Sequence, residues 1–297
     1  MKKINKFLYC CKCECLNFGD ELNKYLFEKV FDVRFNYCFD PWQADYLAIG
    51  SILDNCSSVK LSGFLSKIKL IIKLFLGKIN FSKITVLGSG FQYWSNEHKI
   101  KYLRKMDFRI VRGKLTENYL RNNGLLKNDV LLGDLGLLCP YMLKEKVEKK
   151  YKLGIIPHYV DLNSPVVYDI YKKHRKNCII INVQDDVDVV IKQIAECENI
   201  IASSLHGLIV ADSFNVPNLW FENTLNLRVL DRFKYNDYYS IYGIDEIEPV
   251  NILDVADIDI NTIAKSYCVK KELVEKKQKE LYEFCKEYFE KLVCSKN

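Results

Sequence analysis

The stretch from Glu198 to Phe221, ENIIASSLHGLIVADSFNVPNLWF, restricts the fold more than any other part of the chain. Ile200, Ile201 and Ala202 are a short, largely β-branched apolar run that suits a buried strand. Leu208 to Phe214 then repeat apolar residues at helical spacing until Asn215 and Pro217 stop the helix, and a second strand follows. Between strand and helix lie Ser203, Ser204, Leu205, His206 and Gly207. In open α/β sheets the carboxyl end of a strand, where a helix begins, is where ligands bind, because free N–H groups and the helix dipole favour an anion. Histidine titrates near neutral pH and is the usual acid or base of such a crevice. A helix cap at Ser203 or Ser204 with a packed His206 is the plainer alternative.

The same alternation runs through the rest of the 297 residues. Residues 6–11 read as a strand and Asp20 to Phe31 as a helix, with Asn17, Gly19 and Asp20 in the turn between them. Asp45 to Ser51, Ile84 to Leu87 and Phe108 to Val111 are further strands. Ile84 to Leu87 runs into Gly88-Ser89-Gly90, half of a dinucleotide fingerprint, expected to wall the crevice. After Val111, Arg112 and Gly113 open a helix; a guanidinium beside bare backbone suits phosphate or carboxylate. Asp134 sits in the apolar run Leu131 to Leu138, and the charged run Lys144 to Lys150 reads as a linker. Strands at Leu153 to Pro157 and Cys178 to Val183 and helices at Val166 to His174 and Asp185 to Cys197 restart the pattern. Leu225 to Phe233 reads as a short helix, Lys234 to Tyr239 as a polar aromatic loop, and Lys271 to Val293 as a long charged helix. The expected architecture is α/β, with two Rossmann-like doubly wound domains at 1–140 and 151–268 and a C-terminal helix over 269–297.

A formal charge of +6 favours anionic ligands but falls well short of a nucleic-acid footprint. The amino terminus makes a poor signal peptide, since Lys12 and Glu14 break its apolar run, and no apolar run reaches the length of a membrane span, so a cytoplasmic location is expected. Among 12 cysteines, Cys10, Cys11, Cys13 and Cys15 crowd together, but the others are scattered singly and complete no zinc ribbon. Cysteine as a small buried hydrophobe accounts for most of them, and no metal is expected.

Taken in order, NFGDELN at 17–23, RGKLT at 112–116, GDLGLLCP at 133–140, IPHYVD at 156–161, SSLHG at 203–207 and KYNDYYS at 234–240 resemble the polysaccharide pyruvyl transferase family. The resemblance implies a two-domain fold similar to GT-B glycosyltransferases. It also implies transfer of the enolpyruvyl carbon of phosphoenolpyruvate, the co-substrate, onto two hydroxyls of a free or lipid-linked saccharide, forming a cyclic ketal and releasing phosphate. No further cofactor is implied. By the same resemblance His206 is the general acid or base; Arg112, Ser203, Ser204, Gly207 and Lys234 bind the donor; and Asn17, Asp20 and His158 line the acceptor side. One departure stands out: members of the family often carry arginine two positions before the histidine, where this chain has Ser204. The rival readings are a nucleotide-sugar glycosyltransferase and a catalytically silent sugar-binding relative.

Residues 61–79, LSGFLSKIKLIIKLFLGKI, have the pattern of a basic amphipathic helix. As an ordinary crossover helix it would bury its apolar face on the first sheet. Its mixture of phenylalanine and lysine also fits peripheral association with an anionic membrane face.

Overall fold

The computed structural model describes residues 2–10, 18–57, 68–69, 71–72, 75, 81–93, 100–222, 232–255 and 259–294. Its first half supplies β1 (Lys2–Tyr9), β2 (Val33–Cys38), β3 (Tyr46–Leu47), β4 (Ile84–Ser89), β5 (Met106–Val111) and β6 (Leu131–Leu132). They form one parallel sheet in the order β2-β1-β3-β4-β5-β6. The second half supplies β7 (Leu153–Ile156), β8 (Cys178–Ile180), β9 (Ile200–Ala202), β10 (Asn218–Glu222) and β11 (Val250–Asn251), again all parallel, in the order β11-β10-β9-β7-β8. The fold is therefore α/β with two parallel sheets.

Parallel neighbours cannot be joined by a tight turn, so helices cross between them. These are α1 (Phe18–Phe31), α2 (Lys114–Asn122), α3 (Pro165–His174), α4 (Val187–Ala195), α5 (Leu205–Ser213) and α6 (Phe233–Tyr239), while α7 (Ile252–Val255), α8 (Ile260–Ser266) and α9 (Lys271–Cys294) follow the last strand, β11. Each sheet reverses its strand order once, between β1 and β3 and between β7 and β9. At such a reversal the flanking helices leave on opposite faces and open a crevice beyond the strand ends.

Besides a cluster largely its own, each sheet shares one interior with the other. One apolar cluster joins Leu8, Phe18, Leu22 and Leu26 of the first half to Val187, Ile191, Leu208 and Ile209 of the second. Across it the Phe18 amide donates to the Val183 carbonyl at 3.0 Å, Tyr25 donates to Asp186 at 3.1 Å, and Lys29 pairs with Asp188. The helix α9 fastens the same seam. Gln278 Nε2 donates to the carbonyls of Leu137 and Ser213, each at 2.8 Å, and Phe289 packs on Phe27 and Phe35.

The run read as a linker is docked at its end. Lys149 donates to the carbonyls of Ala195 and Cys197, and Lys150 pairs with Glu196 at 2.5 Å, so two cations sit at the carboxyl end of α4, where its dipole favours them. The stretch Lys234 to Tyr239, read as a loop, is helical. Tyrosine is polar only at its tip: Tyr235, Tyr238 and Tyr239 bury their rings while their hydroxyls reach Ser203, Asp212 and Asn218. Most of the Leu225 to Phe233 helix and the cysteines at 11, 13 and 15 lie outside the described residues.

Candidate functional site

The two strand-order reversals face each other. Gly19, in the first turn of α1 beyond β1, lies against the imidazole of His206, in the first turn of α5 beyond β9. A methyl group on Gly19 would overlap the His206 ring. That contact explains why Gly19 has no side chain and places the histidine at the junction of the two halves.

His206 Nε2 is buried and has no hydrogen-bond partner among the described residues. Burial, then the positive charges of Arg112 and Lys234, push the imidazole down to about 3. At neutral pH the ring is therefore uncharged and offers one nitrogen to accept a proton. Asp20, one residue beyond Gly19, is shifted the other way. Burial and then Glu21 raise its carboxyl to about 6, with Lys24 opposing. The same desolvation thus favours the uncharged form of both groups, moving them in opposite directions. Gly50, beyond β3, takes φ +122 close to the Asp20 carboxylate, a backbone position that favours glycine. Asn17 lies outside the described residues.

The serines are placed differently from expectation. Ser203 is fully buried; its hydroxyl accepts the His158 amide at 2.8 Å and faces Asp161, so it pins the β7 and β9 loops together and is not open to a donor. Ser204 occupies the N-cap position of α5 without a side-chain cap bond. Neither hydroxyl caps the helix. Gly207 sits where a methyl would press on Ile156 of β7, so its small size seats α5 on the sheet. His158 stacks on Tyr159 with ring centroids 4.4 Å apart.

Arg112 corrects the sequence reading most sharply. Its side chain has no exposure: Nε donates to Asp237 at 2.9 Å, one terminal nitrogen to Ser51 at 2.5 Å and the other to the Phe91 carbonyl at 2.6 Å. Gly90 is bare because the guanidinium lies where its Cβ would be, so this glycine makes room for arginine and not for a phosphate. A carboxylate was the right expected partner, but it is the chain's own. Asp237 also accepts the Thr116 amide at 2.8 Å and the Thr116 hydroxyl at 2.6 Å, and so caps α2 from the other half of the molecule, where Gly113 offers no side chain. Sequence reasoning passed over Asp237; the only signal was its place in KYNDYYS. Docked this way, α6 brings Lys234 in its first turn close enough to His206 for its charge to act on the ring.

Among the described residues no cluster of His, Cys, Asp or Glu could hold a metal ion. Cys10 is buried and its thiol is pushed up to about 12, which leaves it a packed hydrophobe.

A family model described as polysaccharide pyruvyl transferase matches residues 17–224. The uncharacterized protein L143 of Acanthamoeba polyphaga mimivirus is 28% identical over 237 residues, which is 77% of this chain and 72% of that protein. The succinoglycan biosynthesis protein ExoV of Rhizobium meliloti (strain 1021) is 28% identical over 165 residues, 54% of this chain and 48% of ExoV. Among solved structures, protein KP1_0663 of Klebsiella pneumoniae aligns at a TM-score of 0.43 and 15% identity, over 79% of this chain and 87% of its own. The E. coli heptosyltransferase WaaC aligns at 0.31 and 10%, over 74% and 89%. Likenesses this distant carry no weight for how the two sheets are arranged.

Proposed function

Because the chain belongs to the polysaccharide pyruvyl transferase family, matched over residues 17–224, we propose that it transfers pyruvate from phosphoenolpyruvate to two hydroxyls of one sugar. The observation that carries this reading is the uncharged His206, set against Gly19 where the two crevices meet.

The reaction needs a proton on the methylene carbon, which leaves the adjacent carbon electrophilic; a sugar hydroxyl then adds to it and gives up its own proton. The bond from that carbon to the phosphate oxygen breaks, phosphate leaves, and the second hydroxyl closes the ketal. Of the two hydroxyl protons released, one balances the new methyl group and the other leaves with phosphate. His206, uncharged before the donor binds, takes a hydroxyl proton. A bound donor places negative charge beside it and raises its affinity for that proton, so the same ring becomes able to deliver one to the methylene carbon.

With Arg112 committed to Asp237, the cation for the donor's phosphate and carboxylate is Lys234, assisted by the first-turn amides of α5 and the Ser204 hydroxyl. Asp20 and His158 face the crevice from either half and orient the sugar hydroxyls. The test is to incubate the protein with phosphoenolpyruvate and diol-bearing glycans. Phosphate release together with ketal-linked pyruvate by mass spectrometry is the expected result. Stabilisation against heat by nucleotide sugars but not by phosphoenolpyruvate would overturn it.

A further inference from the structure

Residues 68, 71, 72 and 75 recur at helical spacing, and each is in helical conformation. All four are apolar and open to solvent: Ile68 is 37% exposed, Ile71 51%, Ile72 50% and Phe75 88%. A crossover helix in a doubly wound fold buries this stripe on its sheet; here it faces outward, with Lys69 exposed beside it. Phe81, just ahead of β4, is 73% exposed as well. The sequence around the stripe is uniformly basic. From Asn55 to Asn96 there are lysines at 60, 67, 69, 73, 78 and 83 and no aspartate or glutamate.

We propose that this face docks on the surface of an anionic lipid bilayer. An isolated apolar stripe could equally be covered by a second copy of the chain, but that would bring two acid-free, lysine-bearing segments face to face. Anionic headgroups supply the opposite charge while the acyl boundary takes up isoleucine and phenylalanine. The contact is interfacial: among the described residues no helix is long and apolar enough to cross a membrane. It is independent of the donor chemistry proposed above.

Co-sedimentation of the full chain with vesicles tests it, using phosphatidylcholine alone or mixed with phosphatidylserine, with neither phosphoenolpyruvate nor sugar present. The protein is expected to pellet with the mixed vesicles at low salt and to stay in solution with neutral vesicles or at high salt. Replacing Ile71 and Phe75 by asparagine, or Lys67, Lys69, Lys73 and Lys78 by glutamine, is expected to lower the partition at least about tenfold, since each lysine near an anionic surface contributes about fivefold. Both sets of changes are read alongside the thermal transition, which the changes at Ile71 and Phe75 should leave in place because the stripe is exposed. Failure to pellet at low salt overturns the proposal, as does a partition that neither variant changes. So does sedimentation velocity showing a dimer that Ile71→Asn and Phe75→Asn abolish, because the occupant would then be a second copy.

Discussion

At the scale of single residues the site depends on how little water reaches His206. Glutamine at this position keeps bulk and hydrogen bonding but cannot carry a proton, so His206→Gln is expected to lower pyruvyl transfer by roughly 100- to 10,000-fold while the melting temperature stays close to that of the parent. The same substitution isolates a pH effect. The folded imidazole sits at about 3 against an ordinary value of 6.5, so between those values the unfolded chain binds a proton that the folded chain does not. The contribution is intact above about 6.5 and is lost as pH falls toward 3. Asp20, Asp134 and Asp212, each raised to about 6, act in the opposite sense and favour the folded chain below that value. The comparison that isolates the histidine is therefore parent against His206→Gln. Melting temperatures recorded from pH 7 to pH 4 should show the parent losing ground to the variant as acid is added. Lys234→Ala is expected to weaken phosphoenolpyruvate binding by about 2 kcal/mol, roughly thirtyfold, and acceptor binding far less, as calorimetric titration would show.

At the scale of elements, what sequence could convey depended on whether a side chain faced its own element or another one. β9, α5 and α9 were legible because an apolar run and a 3.6-residue period are local properties. β2 carries a local signal too, Arg34 and Asn36 alternating with Val33, Phe35 and Tyr37, but over only six residues, and the sequence reading passed over it. The helix α6 was hidden by tyrosines whose hydroxyls are satisfied by residues far along the chain. Arg112 was correctly read as an anion binder and misassigned because its anion, Asp237, lies 125 residues away. Gly19 and Gly113 belong to the same class, since each is small for the sake of a partner in the other half. The two glycines should fail differently. A methyl at Gly113 would overlap the Asp237 main-chain carbonyl, which cannot swing aside, so Gly113→Ala is expected to cost about 3 kcal/mol or more in denaturant unfolding. A methyl at Gly19 meets a side chain that can move. Gly19→Ala should remain folded and displace His206, with about a hundredfold loss of turnover.

At the scale of the whole molecule, the buried pair Arg112–Asp237 and the shared apolar cluster tie the two sheets into one cooperative unit. Breaking a buried pair leaves an uncompensated charge, so Arg112→Ala is expected to destabilise the protein by about 3–5 kcal/mol. The alternative expectation, a fold of normal stability with weakened donor binding alone, would return Arg112 to the ligand. Denaturant melts followed by tryptophan fluorescence and by backbone circular dichroism should coincide in the parent protein.

The helix α9 has a consequence for how the molecule is made. Gln278 joins Leu137 to Ser213, and Phe289 closes over Phe27 and Phe35, yet a ribosome delivers these two residues after everything they fasten. During synthesis the α1 side of the first sheet emerges with phenylalanines uncovered, and it waits for α9 before its last cover arrives. Nascent chains in that condition are bound by holding chaperones or aggregate. The final assembly step therefore waits for α9 to emerge, and the amino-terminal half cannot mature ahead of it.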